Sequence, residues 1–101
     1  MSVKLLLLKS GEQVISDVKE LIHKDSDKVY GYVLNKPHEV VESKAVVLTE
    51  DASEDRKLEI TLSPWILLTE DKSMTVPHDW VITIVNPIKS IVKMYEEKTN
   101  G

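Results

Sequence analysis

The sequence predicts a mostly β protein of one domain that ends in a single α-helix. A chain of 101 residues corresponds to one domain. It contains no Phe and is rich in Val and Ile, and such β-branched residues pack well on pleated sheets but lose side-chain freedom in helices. A helix-start signal followed by helically spaced apolar residues stands near the C-terminus.

The first two strands are predicted on either side of a glycine turn. Residues 3–9 form an apolar run, and Gly11 follows in a polar turn where it can adopt a positive φ without steric cost. Residues 13–22 carry apolar residues at a spacing that also fits a helix. The β-branched pair Val14 and Ile15, placed directly after a turn, favours a strand there.

The middle of the chain predicts a charged loop, a third strand and a long hairpin. The loop covers residues 23–28 and the strand covers residues 29–34. Pro37 should end or bend this strand because proline cannot donate to a ladder. The apolar stretches 40–41 and 45–48 then extend the sheet into a long hairpin.

A solvated loop and two further strands follow. Residues 50–57 combine charges of both signs with nothing to bury, which is typical of a solvated loop. A strand is expected from Leu58 to Leu68 with an interruption at Pro64, since proline in a strand indicates an edge or a bulge. A Pro-His-Asp corner then leads into the last strand, at residues 80–85.

The C-terminal helix is expected at about residues 87–99, with Asn86 as its N-cap and Pro87 in its first position. One apolar stripe would pack against an open end of the sheet; it consists of Ile88, Ile91, Val92 and Tyr95. An alternative stays open, in which residues 86–92 form the closing strand and the corner before them is a plain turn.

Composition excludes several classes of protein. No cysteine is present, so a disulfide framework, a thiolate metal site and a cysteine nucleophile are all excluded. The leucine run at residues 5–8 is too short for a signal peptide, and no apolar stretch has the length of a membrane span. We therefore expect a soluble, cytoplasmic protein.

The charge balance argues against a protein that coats duplex nucleic acid without specificity. The chain has 17 acidic and 13 basic residues and a net charge of −4, whereas general nucleic-acid binders carry a basic excess. A localised binding site on one face remains compatible with this balance.

Nothing in the sequence predicts an enzyme, a cofactor or a metal. His23, His38 and His78 lie in separate segments without the spacing of a zinc site. No strand-to-helix nucleophile motif is present. Asp25 and Asp27 lie in a loop expected to be exposed, where no cause for a shifted pKa exists.

The Ser10-Gly11 turn with the 23–28 loop, and the segment of residues 76–84, are two stretches in which the chain resembles the Sm-like family (LSm and Hfq proteins). The Ser10-Gly11 turn matches the family's first hairpin, and His23 with Asp27 occupies the place of its loop motif. Residues 76–84, VPHDWVITI, line up with the family's Ile-Arg-Gly-Asp and the apolar strand after it. The matching positions there are Asp79, Val81, Ile82 and Ile84.

The chain departs from the family pattern at several positions. His23 stands where the family has Asp, Asp27 where it has Asn, and Pro77-His78 where it has Arg-Gly. The helix follows the strands, whereas family members commonly carry one before them. The overall pattern, including the ending from residue 86, resembles a divergent Sm-like group of marine cyanophages, which would place the protein in the host cytoplasm.

The resemblance implies a single Sm-like domain that assembles into a ring. The domain would be a strongly bent five-stranded antiparallel barrel over about residues 3–85, followed by the helix. A homo-oligomeric ring of about five to seven subunits would form through edge strands from Leu58 to Leu68 and from Trp80 to Val85. Such long apolar edges are an aggregation hazard unless they are paired.

The resemblance also implies that the ring binds single-stranded RNA, or alternatively DNA, near its pore. The histidines would stack on bases or donate to them, the lysines would meet phosphate, and the aspartates would read base edges. The candidate residues are His23, Lys24, Asp27, Lys28, His78, Asp79 and Trp80.

Several alternatives remain open at this point. Asp79 could instead fix the corner by bonding to backbone amides, and the lysines could simply be solvated. For Trp65 and Trp80, packing in the core or at an interface is favoured over base stacking, and Tyr30 and Tyr32 fit either role. The whole protein could also be a ring-shaped scaffold for protein partners, or a monomeric domain.

Overall fold

The computed structural model describes residues 2–47 and 55–100, and for residues 43–47 and 55–58 it describes the backbone alone. Within them the chain forms six strands, one 3₁₀ turn and one α-helix. In chain order these are β1 (Val3–Leu8), β2 (Gln13–Ile22), β3 (Val29–Val47), β4 (Asp55–Pro64), β5 (Ser73–Pro77), the turn (His78–Trp80), β6 (Val81–Val85) and α1 (Lys89–Asn100).

The six strands form one antiparallel sheet, which confirms the mostly β prediction. The strand order is β4-β3-β2-β1-β6, and β5 pairs with β3 as well. Because β2 occupies one side of β3, β4 and β5 must lie one after the other along its second side. The strands number six and not the five of the strongly bent barrel that the resemblance implies, because β4 and β5 are separate, and within the described residues the sheet is not closed into a barrel.

The first two strands match the prediction, and the strand alternative for residues 13–22 is confirmed. Gly11 has a φ of +88°, as its place in the turn requires. The third strand is longer than expected, because it runs through Pro37 and forms the predicted long hairpin with β4.

A β-bulge explains how β3 passes through Pro37. Ile15 pairs with His38 and Asp17 pairs with Asn35, so that Ser16 alone on β2 faces two residues on β3. One of these two, Lys36, has a φ of +50°, which is unusual for a residue with a side chain. The bulge therefore bends the ladder at the proline without ending the strand.

The strand expected from Leu58 to Leu68 is wrong at both ends. It begins at Asp55, so Asp55 to Lys57 belong to β4 and not to the predicted loop, while residues 50–54 of that loop lie outside the described residues. It ends at Pro64, which cannot donate to a ladder. The N–H of Trp65 donates to the Pro37 carbonyl (3.0 Å), and the chain then leaves the sheet.

The helix begins two residues later than predicted. The Asn86 side chain accepts a hydrogen bond from the Lys4 ammonium group, so it does not cap the helix. The N–H of Val92 donates to the Ile88 carbonyl (3.1 Å), and this bond between residues four apart places Ile88 directly before the helix. The alternative of a closing strand at residues 86–92 is wrong, because the last strand ends at Val85.

The packing stripe of α1 also differs from the prediction at its first residue. Ile88 is 68% exposed, whereas Tyr95 is buried. Ile91 and Met94 pack beside Tyr95 against the sheet. The physical reason is that Ile88 precedes the helix, so its side chain does not follow the helical spacing.

The sheet has two apolar clusters. One contains Leu6, Leu8, Val14, Val18, Leu34 and Val76, with Tyr32, Trp65, Val81 and Ile84 packed against it. The other lies under α1 and contains Ile15, Leu62 and Tyr95, with Val3, Leu5, Val40, Ile91 and Met94 around them.

Tyr95 attaches the helix to the bulge through its hydroxyl group. This group donates to the Asn35 carbonyl (2.7 Å) and accepts the N–H of Asp17 (3.1 Å). Asp17 and Asn35 are paired across the ladder, so the hydroxyl bridges two backbone groups beside the bulge. Burial raises the pKa of the Tyr95 phenol, and the negative charge of Asp17 adds to that rise.

Within residues 2–47 and 55–100, no helix combines the length and the apolar character needed to cross a membrane.

Candidate nucleic-acid interface

The two polar segments singled out from the sequence lie at the same end of the sheet. The 23–28 loop connects β2 to the start of β3. Gly31, near that start, pairs with Pro77 at the end of β5, because the two strands are antiparallel. The 3₁₀ turn that follows Pro77 therefore emerges beside the strand end that carries the 23–28 loop.

The 23–28 loop is a closed hairpin loop. The N–H of His23 donates to the Lys28 carbonyl (3.0 Å), and the N–H of Asp27 donates to the His23 carbonyl (3.1 Å). Asp27 has a φ of +55°, a conformation that Asp tolerates better than most residues. The turn geometry thus gives Asp27 a structural role whether or not its carboxylate meets a ligand.

An aromatic pair stands at the base of this loop. The rings of His23 and Tyr30 lie 4.4 Å apart between centroids, with an angle of 34° between their planes. Tyr30 is 47% exposed, and His23 is exposed as well. The pair therefore presents aromatic surface to solvent in a partly stacked arrangement, which a further planar ring could extend.

An open groove of about 370 Å³ runs beside the aromatic pair. Its lining is mainly apolar and consists of Leu21, Tyr30, Gly31, Thr75, Val76 and Pro77. Gly31 keeps the strands close here: a Cβ at this position would lie 2.9 Å from the Val76 carbonyl oxygen. Any larger residue would therefore displace the backbone on the far side of the groove.

The 3₁₀ turn after β5 is fixed by its backbone. The N–H of Lys9, just after β1, donates to the Trp80 carbonyl (2.9 Å). This bond holds the turn against the end of β1 while its three side chains stay exposed. The turn can thus offer an imidazole, a carboxylate and an indole to a ligand from a defined backbone position.

All seven residues predicted for the site are exposed, and they lie in these two segments. The loop has little net charge, because Lys24 and Lys28 are offset by Asp25 and Asp27. Its electrostatic attraction for phosphate is therefore modest, and stacking would have to supply much of the affinity for a nucleic acid.

The two tyrosines of β3 have different surroundings. Tyr32 packs against the first apolar cluster, whereas Tyr30 faces solvent beside His23. The side-chain alternation places both on one face but does not reveal which of them the core covers. Gly31 also belongs to the site, and its place inside a strand was the available signal of close backbone approach.

The two tryptophans differ as well. Trp65 packs against the first cluster, and its indole donates to the Glu12 carboxylate (3.0 Å), which confirms the packing prediction. Trp80 is 44% exposed and does not belong to the core of the chain. Its role at an interface between copies stays a prediction.

No group of three or more His, Asp or Glu side chains that could hold a metal ion occurs in the described part of the chain.

Fold and site together define a small antiparallel β protein with a C-terminal helix and an exposed polar end that carries an aromatic pair. The chain belongs to the family described as Family of unknown function (DUF6561), whose model matches residues 1–100. No curated protein matches the chain in sequence.

Proposed function

We propose that this protein is an Sm-like subunit that assembles into a homo-oligomeric ring and binds single-stranded RNA without catalysis. The observation that carries the proposal is the meeting of the 23–28 loop and the 3₁₀ turn at one end of the sheet, beside the His23–Tyr30 pair. A ring gathers one such end from each copy, so that several weak sites act on one strand.

The strand arrangement supports the Sm-like part of the proposal. The last strand returns to pair with the first, and a short 3₁₀ turn separates it from the strand before it. The turn stands at the Pro-His-Asp corner, where the resemblance places a corner before the final strand. We propose in addition that the sheet is strongly bent and that the assembly completes the barrel.

The free sheet edges support assembly. Within the described chain, β6 pairs only with β1, and its exposed side chains include Ile82 (60% exposed) and Val85 (47% exposed). No charged residue or proline interrupts β6, although natural proteins commonly protect unpaired edges in this way. The sequence suggested the segment from Leu58 to Leu68 as the second edge of the ring, but we propose β5, the strand directly before the corner, in its place. Pairing of β6 with β5 of a neighbouring copy would satisfy these two edges in every copy of a closed ring, whereas the outer edge of β4 would stay unpaired within the described residues.

The aromatic pair supports a single-stranded ligand. Unpaired bases stack on exposed aromatic side chains, which is worth about 1–3 kcal/mol per base. His23 and Tyr30 offer such a surface, and His78 stands at the same end of the sheet. The groove beside Gly31, with its mainly apolar lining and a volume of about 370 Å³, adjoins this surface.

The test is a fluorescence-anisotropy titration with short homopolymer RNAs. Replacement of both His23 and His78 by Ala should weaken binding at least about tenfold because the stacking and donor groups are lost. The matched control is His38→Gln, because His38 lies on β3 away from this end and contacts Tyr95. Unchanged affinity in the double variant would exclude the site.

The salt dependence of the affinity, a comparison of RNA with DNA, and the mass of the assembly distinguish the remaining alternatives. Phosphate contacts make affinity fall as salt rises, so a flat response, or no binding at all, favours the ring-shaped protein scaffold. Equal affinity for the corresponding DNA would exclude recognition of the 2′-hydroxyl group. A single-subunit mass by light scattering at high concentration would exclude the ring.

A further inference from the structure

The most exposed apolar residues of the described chain lie in the loop between β4 and β5, residues 65–72, hereafter the 65–72 loop. Leu68 is 99% exposed, Leu67 is 70% exposed and Ile66 is 46% exposed. These three consecutive apolar side chains belong to neither of the two apolar clusters described above. Such a patch indicates a contact with another surface.

The 65–72 loop is held in place at both ends. At its start, Trp65 donates its N–H to Pro37 and its indole N–H to Glu12, both at 3.0 Å. At its end, the Lys72 carbonyl accepts the N–H of Lys36 (2.5 Å). Since Lys36 and Pro37 are neighbours at the bulge, the loop leaves and rejoins the sheet at one point. A loop fixed in this way loses little conformational entropy when it binds.

A second exposed apolar patch lies at the other edge of the sheet. Ile82 and Val85 are exposed on β6, and Ile88, just before α1, is 68% exposed. The 65–72 loop also contains the acids Glu70 and Asp71, whose charge Lys72 offsets only in part. Ile88, in contrast, is followed by Lys89 and Lys93. The two patches are therefore complementary in charge as well as apolar.

Antiparallel pairing between copies would bring these two patches together. Every strand pair described in this sheet is antiparallel. If β6 of one copy pairs in the same way with β5 of the next, the end of β6 lies beside the start of β5. The residues after β6 are then next to the residues before β5, which are those of the 65–72 loop.

We propose that the 65–72 loop of each copy docks on the β6–α1 junction of its neighbour, with Leu67 and Leu68 against Val85 and Ile88, and with Glu70 and Asp71 facing Lys89. This inference rests on the ring assembly proposed above and names the contact that fixes its geometry. The contact is heterologous, since each copy uses two different surfaces, and such contacts generate rings when the rotation closes.

The first experiment replaces Leu67 and Leu68 together by Asp and measures assembly by sedimentation velocity. The dissociation constant between copies should rise at least about tenfold, as is typical when central apolar interface residues are lost. The thermal unfolding of the dissociated subunit should not change, because both side chains are solvent-exposed. The matched control is Val41→Asp, at an exposed apolar position of β3 away from both patches, and it should assemble normally.

The second experiment exchanges the charges. Lys89→Glu should weaken assembly, and so should Glu70→Lys combined with Asp71→Lys. Joining the three substitutions in one chain should restore part of the lost affinity because opposite charges face each other again. Additive losses without any restoration would overturn the charge contact.

The outcomes separate this inference from the ring itself. Ile82→Lys places a charge on the free edge and should dissociate the ring if β6 pairs between copies. If that variant dissociates while the Leu67/Leu68 variant assembles as well as the unaltered protein, the loop contact is wrong and the ring stands. If the unaltered protein is already monomeric, both proposals are overturned.

Discussion

Two regions of the sheet use similar side chains in opposite ways. One is the face covered by α1, and the other is the end that carries the 23–28 loop and the 3₁₀ turn, hereafter the open end. At the helix, Tyr95 is buried and its hydroxyl group makes two hydrogen bonds with backbone, while His38 contacts its ring edge-on. At the open end, Tyr30 and His23 form a comparable pair in solvent. The first pair stabilises the fold, whereas the second is available to a ligand. Burial, and not residue type, separates the two roles.

At the helix-covered face, the bulge between β2 and β3 provides the backbone groups to which the helix is attached. The bulge opposite Ser16 disturbs the ladder at Asp17 and Asn35, and a helical side chain then bridges the two. Ser16 is fully buried, and its hydroxyl also donates to the Asn35 carbonyl (2.9 Å). The helix is thus attached to the sheet by hydrogen bonds as well as by apolar contacts.

Removing the buried aromatic ring should have the largest effect on stability. Tyr95→Ala leaves a cavity under α1 and the Asp17 N–H without the hydroxyl that accepts it, while the Asn35 carbonyl keeps only its bond from Ser16. Unfolding should therefore become easier by about 3–5 kcal/mol. Urea denaturation followed by circular dichroism measures the change. RNA affinity below the unfolding midpoint should stay the same, since the open end lies elsewhere. A loss of less than about 1 kcal/mol would contradict the role of Tyr95 in docking the helix.

Gly31→Ala should affect stability and binding together. The new Cβ would lie 2.9 Å from the Val76 carbonyl oxygen, so the two strands must separate slightly. We expect a loss of about 1–3 kcal/mol in unfolding free energy and weaker RNA binding, because the groove changes shape. Gly11→Ala is the control: it strains a positive φ in open space and should leave affinity unchanged. Normal binding by the Gly31 variant would remove the groove from the site.

The alkaline pH dependence should be the smallest effect. Burial raises the pKa of Tyr95 in the folded state above the ordinary value of 10.0. The unfolded chain then releases the phenolic proton first, so stability is complete below pH 10 and falls as the pH rises toward the folded-state pKa. Thermal unfolding between pH 9 and 11 should show a steeper loss for the unaltered protein than for Tyr95→Phe. Equal slopes would show that Tyr95 does not cause the loss.

Local patterns were sufficient to predict several elements. The apolar run before Gly11 predicted β1, the β-branched pair Val14 and Ile15 after the turn favoured β2, and the β-branched run after the corner predicted β6. The helix was predicted from Asn86 and Pro87, but it starts at Lys89, and the Asn86 side chain bonds to Lys4 from a distant part of the chain. Such a contact leaves no trace in local spacing.

The candidate site was predictable in its segments but not in its construction. The sequence indicated the 23–28 loop and the Pro-His-Asp corner, and antiparallel pairing of Gly31 with Pro77 brings them to one end. It did not separate Tyr30 from Tyr32, or Trp65 from Trp80, since that separation depends on what covers each side chain in three dimensions.

By itself, the sequence determined the strand-rich class, the terminal helix and the turns, because β-branched alternation, glycine and proline act through neighbouring residues. Only the tertiary structure decided that β3 continues past Pro37, that the 65–72 loop leaves the sheet, and that Tyr95 bridges the bulge. These features depend on partners far away along the chain, and their hydrogen bonds and burial exist only after the strands have paired.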